Sequence, residues 1–189
     1  MGGSHRRTHP VLMTVTLTGF MGCGKSSAGK ALASRLGWEF VDLDEYITHK
    51  KGWSIEEIFA NEGEEAFRAV EAECVRDIII MHQIAGGDVV LALGGGTMAT
   101  TSVQWLILGQ TECLWLKASL QTCLERIASS DEKRPLLDGD TDVRELFTSR
   151  EKVYSLTDKV VDTEGLSVNE VADELFRRIF LNNLYMIQL

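Results

Sequence analysis

A three-layer α/β/α fold built on a five-stranded parallel sheet is predicted by three features of this chain. The string Gly19-Phe20-Met21-Gly22-Cys23-Gly24-Lys25-Ser26 stands where an apolar strand pattern gives way to a helical one. Five short strand-like runs alternate with helical segments along the whole length. One of those runs, residues 88–93, is near-continuously apolar and closed by glycines on either side, the pattern of a strand buried on both faces. Strands separated by helices require parallel pairing through right-handed crossovers, and the ligands of such sheets bind at the carboxyl ends of the strands.

The elements follow in order. Residues 11–18 alternate β-branched and apolar side chains and make the first strand, and residues 27–36 recur at helical spacing. The Gly-x-x-x-x-Gly-Lys-Ser string between them is built to hold phosphate. Its glycines let several backbone N–H groups turn toward one anion, and the positive end of the following helix adds to the same field. Lys25 is placed to neutralise terminal phosphates and the Ser26 hydroxyl to ligate Mg²⁺. Residues 38–44 read as a second strand ending in Asp42 and Asp44, a spacing that puts both acids on one face of a strand. Residues 45–50 lead to a turn at Gly52, and Ser54 with Glu57 forms a capping box for a helix over 54–61. Gly63 breaks that helix. A longer one over 64–83 carries Phe67, Val70, Cys74, Ile78 and Met81 at three- and four-residue intervals, and Gly86-Gly87 ends it. After the strand at 88–93 come Gly94-Gly95-Gly96, a helix over 100–108, a strand over 112–116 and a helix over 119–129. Residues 130–141, polar around Arg134-Pro135, read as a mobile surface loop. A helix over 142–154, a fifth strand over 159–162 and a helix over 167–180 close the chain.

At 189 residues the chain is long enough for one α/β domain with a full core, set here at residues 13–189. Residues 1–12, with His5, Arg6, Arg7 and His9, read as a disordered extension without the apolar core of a signal peptide, and Met13 is a candidate start. The longest apolar stretches fall far short of the roughly 20 residues that span a membrane. Cys23, Cys74, Cys113 and Cys123 have neither zinc-site pairing nor disulfide density, which fits reduced thiols in a cytoplasm. A formal charge of −9 excludes a general nucleic-acid surface. An anionic substrate therefore needs a few cations gathered in one cleft against the overall field.

The polar residues at strand ends supply such a cleft: Asp42, Asp44, Arg68, Gly94 to Gly96, Arg134 and Arg150. One acid next to the phosphate loop can hold Mg²⁺ directly or through water while a second orients and deprotonates an acceptor hydroxyl. The alternative is that one of the two merely caps the following helix. For Arg68 the alternative is a surface ion pair with Glu64 and Glu71.

Five short strings, in this order, resemble the shikimate kinases, which belong to the nucleoside-monophosphate-kinase-like P-loop kinases. They are the phosphate loop itself, Asp42-Leu43-Asp44, Gly63-Glu64-Glu65-Ala66-Phe67-Arg68, Leu93-Gly94-Gly95-Gly96, and Arg134-Pro135-Leu136-Leu137. Arg150, four residues before Tyr154, resembles a second carboxylate-binding arginine, although Lys152 stands where the family often has proline. The resemblance implies transfer of the ATP γ-phosphate to the 3-hydroxyl of shikimate, on the route to chorismate and aromatic amino acids. It implies Mg²⁺ with ATP as the cofactor set, shikimate and MgATP as ligands, no nucleic-acid or membrane partner, and a monomer. ATP contacts fall on Gly22, Cys23, Gly24, Lys25, Ser26, Ser27 and Arg134, and metal contacts on Ser26 and Asp42. Shikimate contacts fall on Asp44, Arg68, Gly94, Gly95, Gly96 and Arg150, with Lys25, Asp44 and Arg134 catalytic. Small substrate-binding and lid subdomains are implied at residues 44–85 and 130–141. The rivals are a kinase for gluconate or a nucleotide, and a non-catalytic nucleotide-binding module.

Other expectations are structural. Trp38, Trp53, Trp105 and Trp115 read as packing residues, His49 and His82 as solvated, and Cys23 as a loop thiol sensitive to thiol reagents. Arg126 is the nearest candidate for an adenine contact, at a spacing to Arg134 that leaves this open.

Overall fold

The computed structural model describes residues 13–129 and 142–180. The N-terminal extension, the 130–141 lid with Arg134, and residues 181–189 lie outside the described residues.

All five expected strands form and pair in parallel, in the order β2-β3-β1-β4-β5. They are β1 (Thr14–Thr18), β2 (Glu39–Asp42), β3 (Val89–Ala92), β4 (Glu112–Lys117) and β5 (Val160–Asp162). The helices are α1 (Lys25–Leu36), α2 (Leu43–Lys51), α3 (Ile55–Ala85), α4 (Thr101–Gln110), α5 (Leu120–Ala128), α6 (Val143–Tyr154) and α7 (Val168–Phe180), with a short 3-10 turn at Thr97–Ala99. Right-handed crossovers explain the layers. The chain leaves β1 through α1 toward the β2 edge and returns through α3 and α4, which puts those helices on opposite faces. Residues of β1 and β3 are buried along their whole length, as their apolar and β-branched composition requires.

Local signals held where they were specific. Ser54 and Glu57 exchange both bonds of a capping box at the start of α3. Gly63, at φ 82° and ψ 173°, interrupts that helix with a conformation that side-chain-bearing residues rarely adopt.

Four expectations fail. Asp44 lies in the first turn of α2 rather than on a strand, because β2 ends at Asp42. His82 is buried, not solvated, and bonds the Ile78 carbonyl at 2.8 Å and the Glu39 carboxylate at 3.2 Å. Trp115 is buried and Trp38 packs edge-on against Phe180, but Trp53 and Trp105 are 41% and 77% exposed. On α4 it is Val103 and Ile107 that turn to the core, which sends Trp105 to the far side of the helix. Cys23 is buried, as are the other three thiols.

The contact of α1 with the sheet is closest at Gly29, where an added Cβ meets Phe40 Cε2 at 2.6 Å and Leu17 Cδ1 at 3.1 Å. Overpacking of this kind costs about 1–3 kcal/mol. Gly29→Ala is expected to lower the free energy of unfolding by about that amount in a urea titration, despite the better helix propensity of alanine.

Candidate active site

The phosphate loop leaves the buried end of β1 and enters α1 through Gly24, whose φ of 101° lets the chain turn into the helix. Gly22 has a φ of 78° and sits so near α5 that a Cβ there meets the Cys123 carbonyl oxygen at 2.5 Å. Only glycine satisfies both conditions. Lys25 arches back over the loop, its Nζ donating to the carbonyls of Gly19 at 2.8 Å and Phe20 at 3.0 Å. The ammonium is thereby held at the rim where an anion enters. Cys23 turns its sulfur under the loop, 3.9 Å from that same Nζ.

The carboxylate of Asp42 divides its two oxygens. Oδ1 accepts from the backbone N–H groups of Asp44 at 3.1 Å and Glu45 at 3.4 Å, capping α2. Oδ2 accepts from the Ser26 hydroxyl at 2.5 Å. The cap that sequence offered as the alternative for Asp42 is present, and the same carboxylate also bonds the phosphate-loop serine. Asp44 follows in the first turn of α2, with Oδ1 placed 2.8 Å from where a Cβ on Gly94 would stand. A side chain at Gly94 would displace that carboxylate.

The glycine turn after β3 gathers the remaining residues. A Cβ on Gly96 would meet Arg68 Nη2 at 2.8 Å and Nη1 at 2.9 Å, and Arg150 Nη1 donates to the Gly96 carbonyl at 3.2 Å. Two guanidinium groups thus converge on one glycine. Arg68 is held from behind by Glu71 at 2.9 Å and by Glu64 at 3.2 Å. Glu64 is a surface partner, but the Glu71 side chain is 1% exposed and also accepts from the Thr97 hydroxyl at 2.7 Å. Arg68 therefore carries a surface ion pair to Glu64 and also joins a buried network through Glu71.

A cleft of about 650 Å³ runs along these elements. Residues 21–28 form its floor, with Asp42, Asp44 and Gly95 toward one end and Arg126, Thr163 and Leu166 toward the other. Gly94, Gly96, Arg68 and Arg150 do not line the cleft itself but adjoin it beside Gly95. Arg126 ties two walls together, donating to the Cys23 carbonyl at 3.2 Å and to Thr163 at 3.1 and 3.0 Å. Thr97 and Thr163 were not singled out from sequence, and Glu71 and Tyr154 were named there only as an ion-pair neighbour of Arg68 and as a landmark after Arg150. Only Glu71 carried a local signal there, its helical spacing from Arg68.

The family model for shikimate kinase matches residues 21–180. The chain belongs to the shikimate kinase family. A shikimate kinase of Thermus thermophilus is 42% identical over 170 residues, covering 88% of this chain and 89% of that protein. One from Moorella thermoacetica is 38% identical over 163 residues, covering 85% of this chain and 91% of its own length. Among solved structures, the shikimate kinase of Acinetobacter baumannii in complex with shikimate superposes with a TM-score of 0.82 at 29% identity over 92% of this chain and 96% of that one. A gluconokinase from Sinorhizobium meliloti, at 18% identity and a TM-score of 0.54, covers 94% of this chain and 98% of its own, and shares only the fold. Among the described residues no helix is long and apolar enough to cross a membrane.

The thiols beneath the site make stability depend on pH. Burial pushes Cys123 up to about 12 and Cys113 up to about 11. In the unfolded chain a thiol ionises near pH 8.5, so above that pH the native state retains protons that the unfolded state has lost. The free energy of unfolding is expected to be constant through pH 8 and to fall between about pH 9 and 11, by at most about 1.4 kcal/mol per pH unit for each such thiol. Urea titrations across that range check it, and a flat profile would contradict the burial of these groups.

Proposed function

We infer that this chain transfers the γ-phosphoryl group of ATP to the 3-hydroxyl of shikimate. The observation that carries this reading is the convergence of Arg68 and Arg150 on Gly96, one glycine turn away from Asp44 and the phosphate loop. Shikimate has one carboxylate and three ring hydroxyls, so a paired guanidinium clamp at one end and a carboxylate at the other match its shape and charge.

In this reading the two arginines hold the shikimate carboxylate, and Asp44 accepts the proton of the attacking hydroxyl. As that oxygen bonds to the γ-phosphorus, the bond from phosphorus to the ADP oxygen breaks, and the proton resides on Asp44 until solvent takes it. Lys25 moves from its carbonyl partners to the terminal phosphates as they seat in the loop. Arg134, outside the described residues, is assigned to the transferring phosphate on the strength of its motif.

The donor set also suits Mg²⁺. Ser26 donates its only proton to Asp42, which leaves its lone pairs for a hard cation. An ion of this kind is bound chiefly by phosphates and water, with one or two protein oxygens. When bound, Mg²⁺ neutralises charge on the phosphates. Ser26 and Asp42 would hold the ion, Asp42 directly or through water.

The far end of the cleft, between Arg126 and Leu166, takes the adenosine half of the nucleotide. Its half-exposed apolar wall, Leu166 and Val168 with Val171, offers a face to a planar base.

A coupled ADP-release assay with MgATP and shikimate, with quinate and gluconate as controls, tests the reading. Shikimate-dependent turnover is expected, falling by about 10²–10⁴ in Asp44→Asn. In Arg68→Ala the KM for shikimate is expected to rise by about 10- to 150-fold, because charge-assisted hydrogen bonds contribute about 1.5–3 kcal/mol. Binding of ATP without any turnover stimulated by shikimate would overturn the assignment and favour a non-catalytic nucleotide-binding module.

A further inference from the structure

Tyr154 ends α6 and is 1% exposed, yet its hydroxyl is not idle: it donates to the Gly95 carbonyl at 2.5 Å. One turn earlier on the same helix, Arg150 donates to the Gly96 carbonyl at 3.2 Å. Two side chains spaced i and i+4 on one helical face therefore hold two consecutive carbonyls of the glycine turn. Among the described residues the N–H groups of Gly94, Gly95 and Gly96 donate to no protein carbonyl. The turn thus has its acceptors occupied and its donors uncommitted.

We propose that Tyr154 is a positioning residue that locks the Gly95–Gly96 peptide plane so that the turn presents N–H donors to the substrate. The physical need follows from the glycines. A Gly-Gly peptide has no Cβ on either side to bias its orientation, and it can rotate through conformations barred to other residues. In a trans peptide the C=O of Gly95 and the N–H of Gly96 point to opposite sides. Fixing the carbonyl on Tyr154 therefore fixes the opposite direction of the N–H. Rotation of that plane would turn a carbonyl toward an anionic or hydroxyl-rich ligand in place of a donor.

The surroundings make the hydroxyl suited to the task. Burial raises the Tyr154 pKa well above the ordinary phenol range, so the group stays protonated and donates at every working pH. Its ring is fixed against Trp115, with centroids 6.0 Å apart. On its other side Gly95 abuts the phosphate loop, an added Cβ there lying 3.4 Å from the Met21 nitrogen. Tyr154 is thus the member of α6 that sets the height of the turn against the loop, while Arg150 is left to exchange the Gly96 carbonyl for a ligand carboxylate.

The inference rests on the shikimate kinase reading, and Tyr154→Phe tests it because the ring and its packing remain. Steady-state kinetics on the purified full chain are expected to show the KM for shikimate rising about three- to tenfold, with the KM for MgATP and kcat within about twofold. Leu175→Val, at a buried position of α7, which packs on α1 and β5, serves as the packing control: it is expected to lower the thermal midpoint while leaving both KM values unchanged. Equal changes in the two KM values for Tyr154→Phe, or no change in either, would overturn the proposal. A second measurement is independent of turnover. The Gly96 amide resonance of ¹⁵N-labelled protein is expected to shift and broaden in Tyr154→Phe but not in Leu175→Val, and an unmoved resonance in Tyr154→Phe would also overturn it. Should the wild type fail to phosphorylate shikimate, the functional reading falls while this amide measurement still decides whether the lock exists.

Discussion

Parallel pairing of β2, β3 and β1 is the constraint from which the site follows. Leu17 pairs with Ala92, and Ala92 with Asp42, so these three residues lie in one row across the sheet. Because the strands run the same way, two further residues along each chain reach Gly19, Gly94 and Asp44. The phosphate loop, the glycine turn and the acid of α2 are thereby brought side by side by backbone pairing. A one-residue slip between β2 and β3 would send Asp42 to the opposite face and break its bond to Ser26.

The chemistry is then refined by bonds that hold backbone and side chains in fixed poses. Lys25 rests on two loop carbonyls, Arg68 on the buried Glu71, and the glycine turn on Arg150 and Tyr154. Such preorganisation matters most for phosphoryl transfer, in which the protein contributes placement and fixed charge more than covalent steps. Arg126 extends the same principle to the nucleotide end, where it joins the loop carbonyl of Cys23 to Thr163 beyond β5.

Much of this was legible in the sequence wherever the signal was local. The phosphate-loop string, the capping box at Ser54, the break at Gly63 and the apolar strand at β3 each depend on neighbouring residues, and each forms as expected. Asp44 was misplaced onto a strand because two-residue spacing suits a strand face, whereas the Asp42 cap starts the helix sooner. His82 was misjudged because its partner Glu39 is 43 residues distant, and helical neighbours give no hint of it. Tyr154 joined the motif without a role, since its partner is a backbone carbonyl 59 residues away. Tryptophan size argued for burial at Trp105, but the helix that bears it had only Val103 and Ile107 to give to the core.

The double engagement of Asp42 has a consequence for how this protein can be altered. One oxygen starts a helix and the other orders the phosphate-loop serine, so a single carboxylate links an architectural joint to the reaction centre. Asparagine could retain the cap but would offer the serine a single oxygen already in use, and serine or threonine would be too short for both. Engineering that seeks a sturdier α2 and engineering that seeks a faster enzyme therefore meet at the same atom pair, and neither trait can be tuned there alone.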